Sequence, residues 1–98
     1  MTKGGGGEVR LSGWLVCATE AEAEAVRAHL PDHLDLTRSE PGCLSFEVTQ
    51  AGPLRWRVEE RFRDRAALAA HRDRAGATVW AKATQGIERR YRVDWGED

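Results

Sequence analysis

Apolar and polar positions alternate along four stretches of the chain and recur every three or four residues along two others. Residues 9–17 (VRLSGWLVC) alternate loosely and are rich in β-branched and aromatic side chains, which predicts a mostly buried strand. Thr19 and Glu22 have the T-x-x-E spacing of a capping box, so a helix begins there. Its stripe is Ala23, Val26, Leu30 and Leu34, and Pro31 inside it predicts a kink or restart. Pro41-Gly42 marks a turn. Residues 43–49 alternate cleanly, with Leu44, Phe46 and Val48 on one side, and Ala51-Gly52-Pro53 supplies a hairpin connection. Residues 55–62 alternate again, with Trp56, Val58, Glu60 and Phe62 together. Asp64 is an N-cap for a helix over residues 65–74, and Gly76 breaks it. Residues 78–85 form a further turn or two of helix, ended by Gly86. The last strand, residues 87–95, places Ile87, Arg89, Tyr91 and Val93 on one face.

The order β-α-β-β-α-β with right-handed crossovers predicts an α+β, ferredoxin-like fold. It is a four-stranded antiparallel sheet with both helices on one face and the first strand between the third and the fourth. With 98 residues there is room for one domain, over residues 8–98, and the four consecutive glycines within residues 1–7 read as a flexible tail. Fifteen Lys and Arg against sixteen Asp and Glu leave a net charge of −1, no electrostatic footprint for nucleic acid or an anionic membrane. No apolar run approaches the ~20 residues of a membrane span, and the start lacks a signal peptide's apolar centre, so the chain reads as cytoplasmic. Cys17 and Cys43 close one strand and open another that runs parallel to it. They should therefore lie at opposite ends of the sheet, too far apart to bridge. His29 and His33 are four apart, but no further ligand completes a metal pattern, so no metal is expected.

Two charged residues break the apolar face. Glu60 on the third strand and Arg89 on the fourth share the phase that faces the helices, with Gly13 on the strand between them. Either they form a structural ion pair over a small residue, or Gly13 floors a ligand pocket flanked by a carboxylate and a guanidinium. His71 falls three residues after Leu68, on the inward edge of the second helix, where it packs or overhangs the same hollow. An RNA-recognition module shares the element order, but it stacks bases on aromatic residues of the open face. Here the third strand offers Arg55, Arg57, Glu59 and Arg61 instead.

The stretch Glu40-Pro41-Gly42-Cys43-Leu44-Ser45-Phe46-Glu47-Val48 resembles the E-P-G-C-L-x-F/Y-E segment of antibiotic biosynthesis monooxygenase-type domains. Val58-Glu59-Glu60-Arg61-Phe62-Arg63-Asp64, followed by Ala67 and His71, is similar to that family's V-x-E-x-W/F-x-D-x-x-A-x-x-x-H pattern, and Arg89-x-Tyr91-x-Val93 matches its ending. The resemblance spans residues 9–93. It implies a dimeric α/β barrel, in which two ferredoxin-like sheets pack face to face and each subunit keeps a cleft between sheet and helices. Among the family's chemistries, haem degradation fits poorly, because Gly13 stands where those relatives carry an Asn and their helix Trp falls near His71. Quinol-oxidising relatives fit best, through His71 and Glu60. The implied activity is oxidation of a phenol or quinol to a quinone by O2 without a cofactor; the alternative is a non-catalytic small-molecule-binding dimer. The implied catalytic residues are His71 as proton acceptor, Arg89 stabilising a phenolate, and Glu60 orienting Arg89 or the histidine. Gly13, Phe62, Trp80 and Tyr91 are the expected substrate-binding residues.

Overall fold

A computed structural model describes residues 7–96. The elements follow in the order β1 (Val9–Val16), α1 (Glu20–Arg38), β2 (Cys43–Gly52), β3 (Arg55–Phe62), α2 (Arg65–Gly76), α3 (Val79–Ala83) and β4 (Glu88–Asp94). The tail expected over residues 1–7 falls, except for Gly7, outside the described residues. The sheet runs β2-β3-β1-β4 with every pair antiparallel, which is the predicted ferredoxin-like order. The caps are those the sequence announces: Thr19 accepts from the Glu22 N–H at 3.2 Å, and Asp64 accepts from the Ala67 N–H at 2.8 Å.

Val9, Leu11, Leu15 and Cys17 of the β1 stretch, with Trp56, Val58 and Phe62 of β3, are buried beneath the helices. Ala23, Val26 and Leu30 of α1 join the larger part of this core, and Leu68 of α2 closes the smaller part over Val9 and Phe62. Each such fully buried aliphatic side chain contributes about 1.5–3 kcal/mol. Both cysteines are free. Cys43 and Val9 pair with the same residue, Phe62, so Cys43 sits at the end of β1 remote from Cys17, as parallel strands require.

Three local expectations are corrected. Helix α1 runs on through Pro31 as one helix, without the restart that was one of the two expectations. The ring is exposed, where water can take up the carbonyl that loses its N–H partner. Leu44 does not face the helices. A register shift between Cys43 and Ser45 turns it outward, leaving it 49% exposed. The buried stripe of α1 ends on His33 and Thr37, and Leu34 is only partly buried. A helix that begins by burying apolar residues therefore finishes by presenting an imidazole and a hydroxyl to the interior.

Candidate active site

Where those polar residues meet the sheet, a cavity of about 220 Å³ opens between α1, α2, α3 and the strands. Its floor is apolar, formed by Leu11, Leu15, Phe46, Val48 and Val58. Glu60, Arg89 and Tyr91 rise from the sheet, His33 and His71 descend from the two longer helices, and Trp80 of α3 closes one side. Strand alternation puts Glu60 and Arg89 on this face. Their register separates them, because Glu60 pairs with Leu11 whereas Arg89 pairs with Leu15. The ion pair between them does not form. The Arg89 guanidinium is held by its own end of the chain, with Nη1 donating to the carbonyls of Thr84 and Ile87 at 3.0 and 3.1 Å. Its Nη2 donates to the Thr84 hydroxyl at 2.9 Å.

His71 is fixed by a residue that the sequence reading did not single out. Its Nδ1 lies 3.0 Å from a carboxylate oxygen of Glu40, just ahead of β2, and the other oxygen of that carboxylate takes the Arg74 Nε–H. Arg74 also donates to Thr37 at 3.2 Å. Glu60 therefore orients neither Arg89 nor the histidine, and Glu40 has the orienting role. The only sequence signal for it was its place at the head of the E-P-G segment. With Nδ1–H directed at the carboxylate, His71 Nε2 is left as an acceptor, and it makes no hydrogen bond within the protein.

His33 is the second residue the sequence reading missed as part of the site. It is 5% exposed and stacks on Trp80 with ring centroids 4.5 Å apart and planes at 6°. It meets Phe46 edge-on at 5.3 Å and lies 5.9 Å from the His71 ring. A signal was available in the i, i+3, i+4 continuation of the stripe past Leu30, but Leu34 competed for the same face.

Two expected substrate-binding residues lie elsewhere. Gly13 does not line the cavity, and a Cβ built on it would sit 2.0 Å from the Arg90 carbonyl oxygen, at a φ of +156°. The glycine therefore lets β4 approach β1, and it leaves no open hollow. Phe62 is fully buried outside the cavity, its ring 5.0 Å from that of His71, so it supports the histidine from behind. Trp80 and Tyr91 do line the space.

Burial sets the protonation states. It pushes the Glu60 carboxyl up to about 7, outweighing the nearby positive charges of Arg72 and Arg89. Burial lowers His33 to about 4, with the positive charges of Arg74 and Arg89 acting in the same direction. It also lowers His71, where Glu40 partly restores basicity. Tyr91, although 37% exposed, is raised to about 12 by desolvation, with Arg89 opposing. Near neutral pH the cavity thus holds two neutral imidazoles, a carboxyl that readily gains or loses a proton, and the guanidinium groups of Arg72 and Arg89. Among the described residues, no group of three His, Cys, Asp or Glu side chains is placed to hold a metal ion.

An α+β ferredoxin-like domain with a cleft between helices and sheet is thus defined, its walls carrying acid–base groups over an apolar floor. Residues 16–83 match the family model of the antibiotic biosynthesis monooxygenases, and the chain belongs to that family. Its fold is similar to that of a Nitrosomonas europaea protein named for the same family (TM-score 0.78, 21% identity, covering 93% of this chain and 91% of that one). It is similar also to Rv0793 of Mycobacterium tuberculosis (TM-score 0.71, 23% identity, 93% and 96%). A conserved protein of Methanosarcina mazei aligns too (TM-score 0.73, 13% identity, 95% and 96%). No curated protein matches the sequence.

Proposed function

We propose that this domain is a monooxygenase that oxidises a hydroxylated aromatic, a phenol or quinol, to a quinone with O2 and without a cofactor. The observation that carries the reading is the Glu40-held His71, facing a cavity with an apolar floor beside a carboxyl poised near 7 and the Arg89 guanidinium. His71 Nε2 takes the phenolic proton, and Arg89 stabilises the phenolate. The phenolate passes an electron to O2, and the two radicals combine to a ring peroxide that takes a proton from Glu60. Loss of the ring C–H proton to the Glu60 carboxylate expels hydroxide, which leaves as water with the proton held on His71. Phenol and O2 thus give quinone and water, and both residues return to their starting states. Trp80 and the apolar floor hold the ring and exclude bulk water.

The partners in this reading are the aromatic substrate, O2 and a second copy of the chain, with no nucleic acid or membrane, in the cytoplasm. Homodimerisation is supported by the uncovered sheet face, where Trp14 and Val16 are half-buried and Arg55 and Arg57 approach the Trp14 ring at 4.3 and 5.2 Å. Among the described residues, no helix is long and apolar enough to cross a membrane.

The test is oxygen uptake by colourless, metal-free protein on a panel of phenols and quinols. His71→Ala should lower turnover by about 10²–10⁴-fold. Turnover unchanged in that variant, or abolished by chelators, would overturn the mechanism. Tight binding with no oxygen uptake across the panel would favour a small-molecule-binding role.

A further inference from the structure

Two side-chain polar atoms in the described residues are buried without a partner, and one of them is His33 Nδ1. The other is Nη1 of Arg74, whose charge bears on the same ring. The His33 Nε2 atom is not sealed in this way and makes no hydrogen bond within the protein. A neutral imidazole carries its proton on one nitrogen only. A proton on Nδ1 would be an orphaned buried donor beside cations, an arrangement rarer than a bare lone pair. The proton therefore belongs on Nε2, which makes His33 a donor toward the cavity. His71 has the opposite polarity, because Glu40 claims its Nδ1–H and leaves Nε2 as an acceptor. The two ring centroids are 5.9 Å apart and both rings line the same cavity, a spacing on the scale of one small ring with hydrogen bonds of ~2.7–3.0 Å to each imidazole.

We propose that His33 is a ligand-contacting residue, and that the His33 donor with the His71 acceptor selects ligands carrying a hydroxyl beside a second oxygen on the neighbouring carbon. His71 accepts from the hydroxyl, and His33 donates to the adjacent oxygen while the Trp80 stack fixes its ring. This deepens the oxidase reading and rests on it for the aromatic character of the ligand. Catechol satisfies both imidazoles. Phenol satisfies one, and hydroquinone places its second oxygen across the ring, out of reach of the pair.

The tautomers are read first, from the ¹⁵N shifts of the histidine rings in the full chain, which requires neither ligand nor turnover. The expected result is a bare Nδ1 and protonated Nε2 in His33, with the reverse in His71. A protonated Nδ1 in His33 would overturn the donor assignment. Affinities for catechol, phenol and hydroquinone are then measured by anaerobic titration, so that binding is separated from oxidation. Catechol should bind about 3- to 10-fold more tightly than either of the others, the net worth of one added hydrogen bond. His33→Phe keeps a ring against Trp80 and should abolish that preference, whereas His33→Gln, which retains a donor, should keep part of it. Equal losses for all three ligands in His33→Phe, or no preference in the parent protein, would reject the proposal. Catechol preference with no oxygen uptake would sustain it while the oxidase reading fails. If none of the three ligands binds, the selection by His33 and His71 fails, and oxygen uptake on the wider phenol and quinol panel decides the oxidase reading separately.

Discussion

The Nδ1 atom of His71 on α2 lies 3.0 Å from the Glu40 carboxylate, 31 residues earlier, in the segment that leads into β2. This contact joins the middle of α2 to the turn ahead of β2 and sets which His71 nitrogen faces the cavity. Because the same carboxylate also takes the Arg74 N–H, its removal would orphan two groups at once. Glu40→Ala should destabilise the fold by about 1–3 kcal/mol, measured by urea denaturation. Glu40→Gln should reduce oxidation of a phenolic substrate less than His71→Ala does, because the imidazole remains while its basicity falls. Wild-type activity in Glu40→Gln would show that the carboxylate has no influence on the base.

Gly13 offers a sharp test of strand packing. Gly13→Ala should cost several kcal/mol, because its Cβ would collide with the Arg90 carbonyl and its φ of +156° strains an L-residue. Thermal melts should show a large drop, and amides of β4 should lose hydrogen-exchange protection first. A variant of unchanged stability would mean that β4 can shift to accommodate it.

Stability against pH should reveal two opposing groups. Glu60 has a folded value near 7, above its ordinary 4.5, so the native state holds a proton that the unfolded chain releases. Stability contributed by this group therefore falls as pH rises from about 4.5 to 7, by up to about 3 kcal/mol. His33 has a folded value near 4, below its ordinary 6.5, so the unfolded chain binds the extra proton. Its contribution is lost as pH falls from 6.5 toward 4. His71, also lowered, acts in the same direction as His33. Relative to the parent profile, Glu60→Gln should tilt stability upward with pH through this window, and His33→Phe should tilt it downward. Denaturation midpoints of the three proteins between pH 4.5 and 8 would check this, and parallel profiles would refute it.

Thr84 ties α3 to β4. Its fully buried hydroxyl donates to the Trp80 carbonyl at 2.8 Å and accepts from Arg89 at 2.9 Å. Thr84→Val keeps the volume and removes both bonds, so a loss of about 1–3 kcal/mol is expected, with KM for a phenolic substrate raised as Arg89 loosens. An unchanged KM would show that the two backbone carbonyls alone suffice to hold the guanidinium.

Much of the fold was legible because its causes are local. The bounds of β3, the caps at Thr19 and Asp64, and the inward phase of Glu60 and Arg89 follow from period-two alternation and from side chains bonding N–H groups three residues away. The strand order followed from crossover handedness. The site was legible only in part. Face and spacing singled out His71, Glu60 and Arg89 and put Tyr91 on the inward side, Trp80 entered only with the family resemblance, and the packed helices bring all five to one cavity.

Local pattern could not decide which partners those residues would have. The inward turn of His33 in place of Leu34 depends on how α1 lies across the sheet and on Trp80 arriving from α3 to stack against it. Glu40 reaches His71 because the turn ahead of β2 packs beside α2, with Gly42 close against Ala67. Gly13 and Phe62 carried the same sequence signal that pocket residues would have carried, and only the approach of β4 and the closure of α2 assigned them to packing. Periodicity selects a face, because successive backbone dihedrals rotate side chains by fixed amounts. What a side chain meets on that face depends on the separation and crossing of distant elements, which no short run of residues encodes.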